Sequence, residues 1–173
     1  MYETELDLAE LQALLDRSYN GAGAHLKSIL MPNLRLSASE LVELMPGMQL
    51  LNLATVTSKG EPRVGAVDGL FYRGHFWFGS SEDSVRFRHI RARPQVSASH
   101  IRGEDLTVVV HGRADIAATV AELSSSQQHD WAGFCRYARE VYGDGWLDWG
   151  TAASYARIEA SLMFASRLPK PDA

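Results

Sequence analysis

The stretch 78–99, FGSSEDSVRFRHIRARPQVSAS, carries residue types suited to holding an anion. Gly79, Ser80 and Ser81 close a run of strand-forming residues, and a helical pattern begins near Ser84. The first N–H groups of a helix have no intrahelical partner and lie at the positive end of its dipole, so they attract phosphate. Ser80, Ser81 and Ser84 add hydroxyls, and Arg86 adds a permanent charge whose forked donors match phosphate oxygens. Glu82 and Asp83 fall in the same turn and oppose an anion unless they point to solvent. Arg63, following Pro62 at the start of another strand pattern, is a second cation that could reach the same group. The same residues also compose a capped surface helix with Arg86, Arg88, Arg91 and Arg93 solvated. The local pattern leaves both readings open.

Other chemistries have less support. His100 and His111 fall on consecutive strand patterns without a further ligand at metal-binding spacing, so no metal site is expected. The chain has neither a G-x-S-x-G elbow nor an S-x-x-K pair, the signatures of nucleophilic hydrolysis. Cys135 is the single cysteine, which excludes an internal disulfide and suits a small buried hydrophobe on a helix. A net charge of −4 argues against a dedicated nucleic-acid binder. The acidic start, MYETELDLAE, lacks the features of a signal peptide, and no apolar run approaches the ~20 residues that span a bilayer. The expectation is a cytoplasmic protein that binds neither membrane nor nucleic acid.

The 173 residues suit one domain, which divides into four parts. Residues 5–45 carry apolar residues at helical spacing (Leu8, Leu11, Leu14, Leu15, then Leu26, Ile29, Leu30), with a Ser37-x-x-Glu40 capping box before a short helix ended by Pro46-Gly47. From Gln49 the period changes to that of strands. QLLNLATVT, PRVGAVDGLFY, HFWFGSS, QVSASHI and LTVVVHGRADIA follow one another, separated by turn signals and by the arginine helix that Pro94 closes. A helical segment fills much of 118–150, ending in the aromatic, turn-rich 142-YGDGWLDWG-150, and 155–167 alternates as a final strand. Six short, mostly antiparallel strands predict a small closed or nearly closed barrel. The fold class is mainly β with flanking helices (α+β). In the aromatic hairpin, alternation puts Phe76 and Phe78 on one face and Trp77 on the other, where it could meet a dimer partner or a flat cofactor.

LATVTSKGEPRVGAVDGLFYRGHFWFGSSEDSVRFRHIRARPQVSAS followed by DLTVVVHGRADI resembles the pyridoxamine 5′-phosphate oxidase-like family of FMN-binding split β-barrels. The shared order is A-T-V, a hairpin, Pro-Arg-Val, an aromatic third strand ending in F-G, and an arginine-rich helix closed by proline. The resemblance implies a six-stranded antiparallel split barrel and a homodimer with two flavin sites at its interface. It places Arg63, Val64, Gly65 and Ala66 along the flavin, and Phe78, Gly79 and Ser80 beside its ring and ribityl chain. Ser84, Val85 and Arg86 would meet the phosphate, Thr107 would lie near the ring, and Trp146 or Trp149 of the other chain would border it. Asp68 departs from the oxidase itself, which carries a lysine there, and the oxidase's C-terminal tryptophan and arginine contacts are not found. The resemblance therefore implies a flavin-dependent oxidoreductase acting on an unidentified small molecule, not vitamin B6 oxidation. Its rivals are a reductase using the deazaflavin coenzyme F-420, held by the arginines of the helix, and a non-catalytic flavin- or haem-binding module with His25 or His129 as haem ligand.

Overall fold

A computed structural model describes residues 2–117, 125–145 and 153–168. Helices α1 (Glu5–Gly21), α2 (Ala24–Ile29) and α3 (Ala38–Leu44) precede strands β1 (Met48–Val56), β2 (Pro62–Tyr72) and β3 (His75–Ser81). Helix α4 (Val85–Ala92) leads to β4 (Gln95–Arg102) and β5 (Leu106–Ala117), and helix α5 (Ser125–Tyr142) precedes β6 (Ala153–Arg167). The strands form a closed antiparallel barrel in the order β1-β2-β3-β6-β5-β4, with β4 returning to β1. Six antiparallel strands and a closed barrel are what the strand patterns imply.

Local chemistry sets the connections. Arg73 and Gly74, both at positive φ (49° and 79°), make the two-residue turn between β2 and β3 that matches the twist of a hairpin. Thr4 caps α1 and Ser37 caps α3, each in a reciprocal box with Asp7 or Glu40. Inward residues of every strand fill the barrel, among them Leu51, Leu53, Phe76, Phe78, Val108 and Ile158. Trp77 points outward, as alternation requires, and α5 covers it, stacking Phe134 at 4.3 Å between ring centroids. Two residues tie α5 down. Asp130 accepts from Arg73 Nη1 (2.7 Å) and Arg157 Nη1 (2.6 Å), while Arg73 also grips Asp7 of α1. The short helix α2 packs less than its leucine spacing suggests, since none of its residues is buried and Ile29 is largely exposed.

The barrel is split along one edge. β6 pairs with β3 only through Arg157, so beyond it the β3-side edge of β6 has no strand among the described residues. Helix α1 takes its place. Ser18 Oγ accepts from Met163 N (2.9 Å), Tyr19 Oη accepts from Ala165 N (2.9 Å), and Leu36 N donates to Ala165 O (3.0 Å). Unpaired strand edges are costly when buried, and these hydroxyls satisfy this one. Tyr19→Phe keeps the ring but strands a buried amide, and should lower stability by about 1–3 kcal/mol in urea unfolding. An unchanged midpoint would show that the hydroxyl does not satisfy that edge.

Candidate functional site

Because β3 and β4 are not neighbours, the chain between them must cross the mouth of the barrel. Helix α4 makes that crossing and turns Phe87 and Ile90, at i and i+3, down into the core. His89 Nδ1 meets Thr55 Oγ1 of β1 at 3.0 Å, which fixes the helix against the rim. Ser84 is the N-cap, its hydroxyl accepting from Phe87 N at 3.2 Å.

Arg86 is thereby laid over the rim, half-buried. Its Nη1 donates to Ser80 Oγ and its Nη2 to Ala66 O, both at 3.2 Å. Gly65 leaves the room: a Cβ there would come within 3.0 Å of Arg86 Nη2. Among the described residues no carboxylate lies within 4.0 Å of this guanidinium. Burial lowers its pKa from the usual arginine value, but a guanidinium still keeps its charge at any physiological pH. A half-desolvated cation with only neutral partners, beside two serine hydroxyls and a helix start, is a fitting anchor for a phosphate. The anion reading of the sequence thus gains geometry that the solvated-helix reading lacks.

The neighbouring charges are arranged to match. Glu82 and Asp83 face solvent. Arg91 Nη1 donates to Glu82 O (2.9 Å) and Arg88 Nη1 to Asp83 O (3.1 Å), drawing the loop back over the helix. Arg63 behaves differently from the expectation of a second phosphate cation: it is exposed and pairs with Glu61 at 2.9 Å.

The remaining predicted residues divide. Val64 is 69% exposed on the outer face of β2, where Ala66 is also open. Val85 is exposed on the first turn of α4. Phe78 is buried inside the barrel, so only its backbone can border a ligand. Gly79 lies under the Tyr155 ring, 2.8 Å from a would-be Cβ. Thr107 is not part of this patch: in the strand order it stands three steps from β2, about 14 Å at the usual spacing. Trp146 and Trp149 lie outside the described residues. His100 and His111 do not approach each other, since His100 is buried with Nδ1 at Leu50 O while His111 meets Ser97 Oγ. His25 is exposed on α2, and the side chain of His129 lies outside the described residues.

Three residues complete the outer patch, of which the sequence names only Asp68, and that as a departure from the oxidase. Asp68 is exposed on β2, next to the C-terminal end of α5. Tyr142 and Tyr155 lie close enough to feel its charge, and burial together with the Asp68 carboxylate pushes each phenol up to about 12; Cys135 contributes for Tyr155. The resemblance singles out Asp68 only as a departure from the oxidase's lysine; outward parity on β6 is the one signal for Tyr155, and nothing in the sequence brings those two strands together.

A closed six-stranded antiparallel barrel whose mouth is crossed by an arginine-bearing helix defines a class of split barrels. The pyridoxamine 5′-phosphate oxidase family pattern matches residues 38–144, and the chain belongs to that family. No curated protein matches. Among solved structures, a conserved hypothetical protein of Mycobacterium tuberculosis is 17% identical with a TM-score of 0.57, over 83% of this chain and 95% of its own. A FAD-binding protein of Mesorhizobium loti is 19% identical (TM-score 0.55; 78% and 96%). The haem storage protein HutZ of Vibrio cholerae is also 19% identical (0.53; 68% and 86%). These likenesses share the fold.

Gly65 and Gly112, crowded by a side chain and by backbone respectively, should respond differently to alanine. At Gly65 the obstacle is the tip of a flexible arginine, so the cost in urea unfolding should stay under about 1 kcal/mol. At Gly112, beside the bulge of β5, a methyl would meet backbone Glu159 O at 2.1 Å, and about 3 kcal/mol or more should be lost. Equal costs would contradict this geometry.

Proposed function

We propose that the chain is an FMN-dependent oxidoreductase, active as a homodimer on a small-molecule substrate. The observation that carries the reading is Arg86, a half-buried guanidinium with no carboxylate partner, held over Gly65 and Ala66 beside Ser80 and Ser84. Arg86, the two serine hydroxyls and the first N–H groups of α4 would hold the phosphate. The open outer side of Val64 and Ala66 and the backbone of Phe78 and Gly79 would lie along the ring system. When bound, the flavin supplies the hydride or electron chemistry; the chain binds it, orients it and shields it.

FMN is favoured over the deazaflavin coenzyme because Arg88 and Arg91 already hydrogen-bond the carbonyls of their own loop. Those two arginines are turned back over the helix, Arg91 also pairing with the Glu82 carboxylate at 3.5 Å, whereas a long anionic tail needs further cations beside Arg86. Of the two histidines considered for haem, the one whose side chain is described stands exposed on a helix that buries nothing.

Two features support the homodimer. Thr107 stands too far round the barrel to share a ligand with Arg86 of the same chain. The outer face of β2, β1 and β4 exposes Val64, Met48, Leu50 and Ile101, at 47–69% each, and apolar faces of this kind mark contact surfaces. Sedimentation at micromolar concentration should give twice the monomer mass, and a strict monomer would remove the second half of the site.

Titration of FMN into the protein should quench flavin fluorescence with saturation, and Arg86→Ala should weaken binding roughly 10- to 100-fold, the value of one charge-assisted contact of about 1.5–3 kcal/mol. Wild-type protein that leaves FMN fluorescence unchanged would end this reading.

A further inference from the structure

We infer that Asp68 determines substrate choice at this site, and that the substrate presents a cationic nitrogen, an ammonium or amidinium, to its carboxylate. This rests on the flavin reading above. Asp68 stands on the outer face of β2, two residues beyond the Ala66 carbonyl that Arg86 grips, about 7 Å along the strand. Among the described residues, one end of the patch thus holds a cation with only neutral partners and the other a carboxylate without an ion pair.

Among the described residues no positive group forms an ion pair with Asp68. Its neighbours across the ladder are Leu50 on β1 and, one step from the Gly69↔Phe78 pair, Gly79 on β3. Of the surrounding arginines, Arg139 of α5 pairs with Asp144, Arg157 of β6 with Asp130 and Glu159, and Arg86 bonds Ser80 and Ala66, while the exposed Arg136 of α5 acts on Tyr72. Among the described residues its carboxylate makes neither hydrogen bond nor ion pair. The nearby phenols of Tyr142 and Tyr155 are neutral over the physiological range, so they can donate a hydrogen bond but bring no positive charge.

An exposed carboxylate needs no partner while water surrounds it. Here Asp68 shares its face with exposed Leu50, Val64 and Ile101, the surface that a second copy would cover. A carboxylate withdrawn from water without a counter-charge is strongly disfavoured, so a covered Asp68 calls for a cation. A cationic group on the substrate meets that need, and an anionic substrate is repelled.

The test uses two planar aromatic ions of similar size and opposite charge, benzamidinium and benzoate. Each is titrated into FMN-loaded protein while the flavin absorbance is followed. Benzamidinium should bind ~10-fold more tightly than benzoate, about 1.4 kcal/mol, with the preference shrinking as salt is raised. Asp68→Asn should abolish the preference. Equal affinities, tighter benzoate, no response to either ion, or a preference that survives Asp68→Asn would each overturn the proposal. FMN affinity is measured first for each protein, and wild-type protein that takes up no FMN refutes the flavin reading instead.

Discussion

The pairing of β1 with β4, through Asn52↔Ser99, Leu53↔Ala98 and Ala54↔Ser97, is the constraint on which the rest depends. It closes the sheet and places β3 and β4 on opposite sides of the β1–β2 pair. The chain between them can then only cross the mouth of the cylinder. A short helix does this well, because it satisfies its own backbone while Phe87 and Ile90 plug the core below. The rim position of Arg86 follows from that crossing. So does the contact between its guanidinium and the backbone of a strand 20 residues earlier.

The periphery decides which surfaces stay open. Helix α1 lends hydroxyls to the unpaired edge of β6, and α5 lays Phe134, Tyr137 and Ala138 over Leu70, Tyr72 and Trp77. Asp130, shared by Arg73 and Arg157, pins α5 to the hairpin and to β6 together. What remains uncovered is the outer side of β2, β1 and β4, which begins where α5 ends. That boundary falls at Asp68 and Tyr142.

The electrostatics of the patch follow from local burial. Arg86 is partly removed from water but kept among neutral oxygens, so its field is directed outward at the mouth rather than cancelled within the chain. The loop carboxylates of Glu82 and Asp83 would oppose an anion, yet Arg88 and Arg91 hold that loop back by its carbonyls, Arg91 also pairs with the Glu82 carboxylate (3.5 Å), and Asp83 stands exposed. Tyr142 and Tyr155, buried beside a carboxylate, stay in their neutral form.

By itself the sequence determined the strands and their turns, since alternation, Arg73-Gly74, Gly103 and Pro94 are local rules written in neighbouring residues. It also displayed the parts gathered at 80–86, a helix N-cap, serine hydroxyls and a guanidinium, because these lie within a few residues of one another. Only the tertiary structure decided that Arg63 turns to Glu61, that Phe78 faces inward, that Trp77 is sealed by α5 and that Thr107 lies apart from the rim. It alone brought Asp68, Tyr142 and Tyr155 together. Apart from the local Arg63–Glu61 pair, these are outcomes of strand order and of which helix covers which face, and contacts across 50 or more residues leave no periodicity for a sequence to display.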